Sequence, residues 1–501
     1  MAFLIGIDIG TSGTKTVLFD LEGNTVASAL REYPLYQPQQ GWAEQEPEDW
    51  WRAVCATLLE VTGKVGVCAQ EIKGIGLSGQ MHGLVMLGAQ GEVLRRSIIW
   101  CDQRTAQECV EITEKTGARR LIEITANPAL TGFTASKILW VRNHEPQVYE
   151  QCRHILLPKD YIRYRLTGEF ATEVSDASGM QLLDIRRRDW SDELLQTLGI
   201  DKSLLAPVHE SIEITACVSR EAASLTGLRE GTPVAGGAGD QAAGAVGNGI
   251  VREGVLSSTI GTSGVVFAHT DSPCIDPQGR IHTFCHAVPG AWHIMGVTQA
   301  AGLSLKWFRD NFCSNEKETA ALLGIDPYVL LDKEAGLVPA GASGIFYLPY
   351  LMGERTPHLD PDARGVFFGL SAIHTRRDML RAVMEGVAYS LRDCMEVIRQ
   401  TGVTAGEVRA SGGGGRSALW RQMQADMFGC PVCTVNSSEG GALGVALLAG
   451  VGAGVWADVR QACDAVIRTG AAQEPDAGAA GIYSARYETY RALYGALKDL
   501  F

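Results

Sequence analysis

The chain has 501 residues, more than a single hydrophobic core usually supports, so its length predicts two domains of comparable size. Its formal net charge of −13 weighs against nucleic acids and anionic membranes as partners, because both select basic surfaces. Thirteen cysteines without the spacing of a disulfide framework are typical of a reducing cytoplasm.

The first eighty residues predict the start of an α/β domain. Residues 3–33 contain three strand-like runs separated by tight polar turns, which predicts an antiparallel meander. Residues 46–63 predict an amphipathic helix, because Pro47 stands in the first turn and two acidic residues follow it. The apolar run at 72–79 predicts a strand parallel to the first. A meander, a helix and a parallel strand together indicate an RNase H-like layer.

The N-terminal segment predicts a cytoplasmic protein. It contains no basic stretch, and Asp8 stands where a secretory signal would be apolar. The longest uncharged stretch, residues 440–457, is rich in glycine and alanine and only weakly apolar. We therefore expect a packed internal helix there rather than a membrane span.

The opening pattern returns near the midpoint of the chain. The segment GTSG occurs at 10–13 and again at 261–264, between two strand-like runs each time. A four-residue match is weak by itself, so the shared context carries the argument for a duplication. We predict an N-terminal domain at 1–247 and a C-terminal domain at 248–501, with the last helix packing back on the N-terminal domain.

The first GTSG loop has the features of a phosphate site. Its backbone amides can point together at phosphate oxygens, and Asp8 at the end of the preceding strand can hold a magnesium ion, usually through water. The structural alternative is a hairpin in which Asp8 caps its own turn. The second loop, with Thr262 and Ser263, offers the same turn from the other half. Two such turns across a cleft favour nucleotide phosphates.

A third glycine-rich segment, SGGGGRS at 411–417, lies between a strand-like run and a helical run. Glycines let the backbone approach a flat or phosphorylated ligand closely, which favours a site for adenine and the α-phosphate. The alternative is an ordinary surface loop.

Two common nucleotide-binding fingerprints do not apply. No GxxxxGK[ST] segment occurs in the chain, which excludes a P-loop enzyme. A GxGxxG segment spans 74–79, and Asp102 follows it at a suitable distance, but the next residues resemble a strand. A dinucleotide-binding fold requires a helix at that place.

Asp240 is the strongest candidate for the catalytic group. It follows a glycine-rich turn at 236–239 and precedes a helix of small residues, so its carboxylate is expected near a helix N-terminus. The field of that helix would lower the pKa of Asp240. A weak base suffices for phosphoryl transfer, because the attacking hydroxyl loses its proton late. The alternative is an N-cap aspartate without a catalytic duty.

His82 lies in the segment QMHG at the end of a predicted strand. A lone histidine is more often a packing residue than a ligand. On a crevice edge between two glycines it could instead hydrogen-bond a sugar hydroxyl, and both interpretations stay open.

The C-terminal region predicts packing rather than chemistry. The single CxxC, at 430–433, contains a proline and has no second pair, which favours strand packing over a zinc or redox site. Tyrosines at helical spacing predict a final helix that docks its aromatic face on the core. They are Tyr483, Tyr487, Tyr490 and Tyr494.

Several longer segments resemble signatures of the FGGY carbohydrate kinases, over nearly the whole chain. Residues 132–144, GFTASKILWVRNH, and 365–386, GVFFGLSAIHTRRDMLRAVMEG, are similar to two family patterns. Resemblance to the xylulokinase subfamily lies in four further segments, WAEQEPEDWW, GLSGQMHGLV, LLPKDYIRYRLTGEF and YLPYLMGERTPH. The resemblance implies an α/β protein of two RNase H-like domains, of the actin, hexokinase and Hsp70 ATPase type, with a catalytic cleft between them. It also implies ATP, Mg²⁺ and a small sugar as ligands.

The same resemblance, taken position by position, implies a role for each motif residue. Asp240 would be the catalytic base, and Asp8 the acid near magnesium. Sugar contacts are implied for Met81, His82, Asp240 and Gln241. Nucleotide contacts are implied for Thr11, Ser12, Gly261, Thr262, Gly413, Gly414 and Gly415.

The implied activity is ATP-dependent phosphorylation of D-xylulose to D-xylulose 5-phosphate in pentose catabolism. One position departs from the subfamily, because Gln241 follows the catalytic aspartate where xylulokinases usually have asparagine. Another ketose, a polyol or a sugar acid therefore stays open as the acceptor, and the resemblance allows a homodimer. A non-catalytic sensor on this fold would not need Asp240. A chaperone-like ATPase acting on proteins would not need QMHG.

Overall fold

The computed structural model describes residues 2–65, 69–437 and 439–501, and its first half is built on a seven-stranded sheet. The strands of this sheet are β1 (Phe3–Ile9), β2 (Gly13–Asp20), β3 (Thr25–Glu32), β4 (Ile72–Gly79), β5 (Ile214–Cys217), β6 (Pro233–Ala235) and β7 (Ala238–Gly239). Their order in space is β5–β6–β4–β1–β2–β3. The seventh strand, β7, pairs with the last residues of β4, on the same side of β4 as β6. The antiparallel meander and the parallel return of β4 beside β1 confirm the prediction for this region.

The second half is built on a six-stranded sheet with the same central arrangement. Its strands are β8 (Val255–Ile260), β9 (Gly264–Thr270), β10 (His282–Cys285), β11 (Trp292–Thr298), β12 (Glu407–Ser411) and β13 (Val432–Cys433). Their order in space is β10–β11–β9–β8–β12–β13. β8 and β9 flank the second GTSG loop as β1 and β2 flank the first, and β12 is parallel to β8 as β4 is to β1. The predicted strand–loop–strand repeat is confirmed.

Helices cover both sheets. Those discussed below are α1 (Pro47–Val65), α2 (Pro158–Thr167), α3 (Val174–Ala177), α4 (Asp240–Gly247), α5 (Arg376–Gln400), α6 (Gly440–Gly452) and α7 (Ala477–Leu497). The other helices are Ala106–Thr116, Ala118–Thr125, Thr134–His144, Pro146–Gln151, Asp192–Leu198, Arg220–Thr226, Gly302–Phe312, Ser314–Leu323, Pro327–Gly336, Ala418–Phe428 and Val459–Val466. Short strand pairs outside the main sheets are Glu44–Gln45 with Ser97–Ile98, Val85–Leu87 with His154–Leu156, Thr172–Glu173 with Val208–His209, Leu183–Asp184 with Asp189–Trp190, and Phe346–Leu348 with Val366–Phe368.

Helix α6 belongs to the second half in sequence but packs on the sheet of the first half. It lies against β1 and β4 on the face opposite to α1. Gly6 and Gly76 form this contact, because a Cβ at either position would overlap the carbonyl oxygens of Ala442 and Val445. The uncharged stretch is therefore a buried internal helix, as predicted.

The last helix, α7, packs on the second half, so the prediction that it returns to the N-terminal domain is wrong. Tyr483, Tyr487 and Tyr490 are buried in the core of the second half, against Tyr389 of α5. The Tyr483 hydroxyl donates to Glu385 Oε1 at 3.0 Å. The aromatic spacing identified the packed face of the helix but not the surface that it meets.

No helix in residues 2–65, 69–437 and 439–501 is long and apolar enough to cross a membrane. All cysteines in the same ranges are free thiols. Cys430 and Cys433 are buried, the latter in β13, as the prediction of strand packing required.

Replacement of Gly76 by alanine is expected to destabilise the protein, because the added methyl group would collide with the backbone of α6. Overpacking of this kind lowers the free energy of unfolding by about 1–3 kcal/mol. The measurement is the thermal unfolding midpoint. Gly63→Ala is the matched control, since nothing lies within 4 Å of a Cβ there and alanine favours the helix α1. Equal midpoints for the two variants would contradict the close contact of α6 with the sheet.

Candidate active site

Three parallel strands of the first sheet end at the same edge. In register, Ile9 of β1 pairs with Gly79 of β4, and Gly79 pairs with Gly239 of β7. Ligands of open α/β sheets bind in the crevice at the carboxyl ends of such strands. The first GTSG loop, the QMHG segment and Asp240 directly follow these ends, so the fold brings together three segments that are remote in sequence.

Asp240 and Gln241 are the first residues of α4 and line a cavity of about 670 Å³. Much of the remaining lining comes from the second half, including Ser257, Gly413 and Gly441. The cavity therefore lies between the two halves, with the carboxylate of the first half facing glycine-rich backbone of the second.

The pKa of Asp240 is raised to about 7, chiefly by burial, with a further contribution from the negative charge of Asp8. Hydrogen bonds from Gln241 act in the opposite direction. The predicted lowering of this pKa is therefore wrong. Asp240 does stand at a helix N-terminus, but the loss of solvation outweighs the helix field. A carboxylate with a pKa near 7 is a stronger base than an ordinary aspartate and is still partly ionised at neutral pH.

Asp8 lies on the α6 face of β1. Ser78 Oγ donates to Asp8 Oδ1 at 2.8 Å, and a Cβ at Gly441 would lie 3.2 Å from Asp8 Oδ2. Burial raises the pKa of Asp8, although Ser78 and the charge of Lys15 oppose the shift. Lys15 also pairs with Glu439 at 2.5 Å. One oxygen of Asp8 is thus fixed by the protein, and the other faces the glycine-rich start of α6.

Side chains from three other segments hold the first GTSG loop. Gln45 Nε2 donates to the Thr11 carbonyl at 2.7 Å, and Trp100 Nε1 donates to Thr11 Oγ1 at 2.9 Å. Thr11 Oγ1 in turn donates to Gln80 Oε1 at 3.3 Å. Ser12 stays exposed at the tip of the loop. The loop is therefore fixed through Thr11, while Ser12 and the loop backbone are available to a ligand.

Gln45, Gln80 and Trp100 are site residues that the sequence analysis missed. The signal for the two glutamines was present, because they lie in the segments WAEQEPEDWW and GLSGQMHGLV. Trp100 lies outside these two segments, so its sequence context indicated a role in the site less clearly. It is 47% exposed and held by its hydrogen bond to Thr11, so part of its flat apolar face is open beside the first GTSG loop.

Met81 and His82 follow the end of β4, which pairs with the end of β7 just before Asp240. Met81 is buried against Gly239, where a Cβ would come 2.8 Å from Met81 Cγ. His82 Nδ1 donates to the Gly179 carbonyl at 2.8 Å. Burial lowers the pKa of His82 to about 3, and the charge of Lys137 acts in the same direction, so the ring is neutral. With its proton on Nδ1, the neutral ring has a lone pair on Nε2, which can accept a hydrogen bond from a hydroxyl.

A second cavity, of about 410 Å³, adjoins the first. Gly261 and Thr262 of the second GTSG loop line it, as do Gly413 and Gly414. Gly413 lines both cavities, so the glycine-rich segment lies at the boundary between them. An apolar pocket that opens past glycine backbone into a polar cleft suits a nucleotide base with its phosphates. The apolar part of the lining is Ile260, Leu303, Leu305, Tyr328, Val329 and Trp420.

Comparison with known proteins gives a consistent result over both halves. The profile of the FGGY family of carbohydrate kinases, N-terminal domain, matches residues 3–247, and the profile of the C-terminal domain matches residues 256–453. The xylulose kinase of Bacillus subtilis is 40% identical over 500 residues, covering 100% of this chain and 98% of that protein. The xylulose kinase of Escherichia coli is 40% identical over 497 residues, covering 99% of each.

Two further relatives bear on the range of substrates. The crystal structure of xylulose kinase from Rhodospirillum rubrum has a TM-score of 0.92 at 33% identity, covering 99% of each chain. A gluconokinase of Bacillus subtilis is 35% identical over 457 residues, covering 89% of this chain and 87% of that protein.

Proposed function

The chain belongs to the FGGY family of carbohydrate kinases, and from this premise we propose that it transfers the γ-phosphoryl group of ATP to D-xylulose, forming D-xylulose 5-phosphate. The observation that carries the choice of sugar is the similarity to two xylulose kinases over essentially the whole length of the chain. The cleft supports the reaction, since one wall holds a carboxylate of raised pKa and the other opens into an apolar pocket.

Asp240 is the base of the proposed reaction. It accepts the proton of the terminal hydroxyl of the sugar while the hydroxyl oxygen bonds to the γ-phosphorus. The bond from the γ-phosphorus to the bridging oxygen breaks, and ADP leaves. Met81 and His82 hold the sugar beside Asp240, with His82 Nε2 accepting from a sugar hydroxyl and Gln241 contributing its amide.

The nucleotide spans the two cavities in this proposal. Its base occupies the apolar pocket, and its phosphates pass Gly413, Gly414 and Gly415 towards Asp240. The backbone amides of the two GTSG loops bind the phosphates, with Thr11, Ser12, Gly261 and Thr262 as the loop residues. Closure of the halves on the sugar would exclude the water that otherwise hydrolyses ATP.

Asp8 is the residue proposed to hold Mg²⁺. The oxygen donors at this place fit the ion, because Mg²⁺ is commonly held by one or two carboxylates together with substrate phosphates. Among the described residues, no group of three or more His, Cys, Asp or Glu side chains could hold a metal ion by itself. When bound, Mg²⁺ neutralises charge on the phosphates. Asp8 contributes a carboxylate whose Oδ1 is already oriented by Ser78.

A panel of acceptors tests the choice of sugar. In an assay that couples ADP release to a spectroscopic signal, D-xylulose is expected to give a kcat/KM at least about tenfold higher than D-ribulose, glycerol or D-gluconate, a difference of about 1.4 kcal/mol in transition-state binding. Preferred turnover of D-gluconate would favour the gluconokinase alternative. Binding of D-xylulose without ADP release would favour a non-catalytic sensor.

A further inference from the structure

We propose that Ser175 and Glu173 are positioning residues that hold Asp240 in place for proton transfer, an inference that rests on the proposed function of Asp240 as the base. Neither residue reaches the cleft, since both are fully buried behind the glycine-rich turn that precedes Asp240. They act through the backbone of Gly239, the residue directly before the base.

The turn at 236–239 has no side chain of its own that could fix it, because three of its four residues are glycines and the fourth is alanine. Ala238 and Gly239 pair with β4, and three further hydrogen bonds hold the segment. Gly236 N donates to the Glu213 carbonyl at 2.9 Å, and Gly237 N donates to the Ser211 carbonyl at 3.0 Å. Gly239 N donates to Ser175 Oγ at 3.1 Å. The bond nearest to Asp240 is therefore the one that depends on a side chain.

The Ser175 hydroxyl has a defined orientation. It donates to Glu173 Oε1 at 3.0 Å, so a lone pair of Ser175 Oγ is free to accept from Gly239 N. Ser175 also begins the short helix α3 with Val174, and Glu173 caps that helix by accepting from the Ser175 and Asp176 amides. The Ser175 hydroxyl that accepts from Gly239 N is therefore fixed by the backbone of α3 and by the Glu173 carboxylate.

The Glu173 carboxylate is itself held from several directions. Ser211 Oγ donates to Glu173 Oε2 at 2.7 Å, and Lys159 Nζ of α2 lies 3.3 Å from Glu173 Oε1. Lys159 also donates to Asp160 at 2.6 Å, and all of these side chains are buried. A buried carboxylate with charge-assisted partners is hard to move, because any displacement leaves a charge unpaired.

This chain of contacts runs from Lys159 through Glu173 and Ser175 to Gly239, and ends at Asp240. Rate depends steeply on such placement, since a displacement of about 1 Å at the reacting groups can cost on the order of a hundredfold. Loss of the Ser175 hydroxyl would leave Gly239 N without its acceptor and remove the side-chain contact that holds the residue directly before Asp240, while the nucleotide pocket of the second half would be untouched.

The test compares Ser175→Ala with the matched control Ser211→Ala. Each variant removes one fully buried hydroxyl that donates to Glu173, but only Ser175 accepts from Gly239. S175A is expected to lower kcat by about tenfold to a hundredfold, with the KM for ATP within about twofold of wild type. S211A is expected to show a similar shift of the thermal unfolding midpoint but a clearly smaller loss of kcat than S175A, because Glu173 keeps Ser175 and Lys159 as partners and Ser211 holds Gly237 through its backbone carbonyl.

A double variant separates positioning from general destabilisation. In the Asp240→Asn background the base is gone, so S175A is expected to cause no further loss of the residual rate. Any one of three results would overturn the positioning role. These are equal kcat values for S175A and S211A, an S175A protein that does not fold, and an additive loss in the double variant. An active Asp240→Asn variant would instead overturn the proposed function on which this inference rests.

Discussion

Replacement of Asp240 by asparagine is expected to lower kcat by about 10²- to 10⁴-fold, the range that general-base catalysis contributes. Asparagine keeps the size of the side chain but cannot accept the proton of the sugar hydroxyl. Because burial raises the pKa of Asp240, removal of the buried charge is expected to leave the thermal unfolding midpoint at neutral pH unchanged or to raise it. The measurements are ADP release with D-xylulose and ATP binding by calorimetry. Full turnover in a folded variant would refute the role of Asp240 as the base.

The pH dependence of the wild-type enzyme provides a second measure of the same group. The pKa of Asp240 is raised to about 7, and only the ionised carboxylate can accept a proton. The value of kcat/KM for the sugar is therefore expected to fall as the pH is lowered through about 7, and to level off above it. An ordinary aspartate would remain ionised down to about pH 4, and kcat/KM would not change above that pH. A profile that is flat between pH 5 and 8 would contradict the raised pKa.

The carboxylate of Asp8 is expected to have two separate effects. Asp8→Asn removes the oxygen charge proposed to bind Mg²⁺, so kcat is expected to fall by about 10²-fold or more and the Mg²⁺ concentration for half-maximal rate to rise. The same change removes a negative charge that raises the pKa of Asp240. The pKa of Asp240 in the metal-free protein is therefore expected to fall, which an NMR titration without Mg²⁺ and nucleotide would measure.

The matched control for Asp8→Asn is Asp192→Asn. Asp192 is an exposed carboxylate that pairs with Lys202 at 2.8 Å on the surface of the first half. Such a pair contributes little, so neither the Mg²⁺ requirement nor the pKa of Asp240 is expected to change in this variant. If Asp8→Asn resembled Asp192→Asn in both measurements, the assignment of Asp8 to the metal would be wrong.

Much of the architecture could be predicted because its signals are local. The meander at 3–33, the helix that begins at Pro47 and the return of GTSG at 261–264 depend on alternation, caps and glycine spacing within short windows. The structure has all three. The place of Asp240 at the start of α4 was also a local property, since a glycine-rich turn led into a run of small residues.

The errors concern properties that depend on distant residues. The sequence near Asp240 shows a helix N-terminus, but the burial of its carboxylate and the charge of Asp8 arise only when β1 and β7 lie beside β4. The final helix was assigned to the wrong half for a related reason. Its tyrosines mark an apolar face, but a face does not specify its partner.

Gln45, Gln80 and Trp100 illustrate the same limit within the active site. The two glutamines lie in segments that resemble the family, but the relation of all three residues to Thr11 appears only in the folded protein. The glycines Gly6 and Gly76 carried a usable signal, since two glycines on adjacent buried strands permit a helix to approach closely. What they could not indicate is that the helix would come from the far end of the chain.

The position of α6 also has a consequence for how the protein is made. When residues 1–247 have been synthesised, every strand of the first sheet has been made. One face of β1 and β4 still lacks the helix at 440–452 that covers it. Domains usually fold in the order in which they leave the ribosome. Here the half that is synthesised first keeps this face, with Asp8 on it, uncovered until residues 440–452 have been synthesised. The order of synthesis is therefore not the order in which the active site is finished.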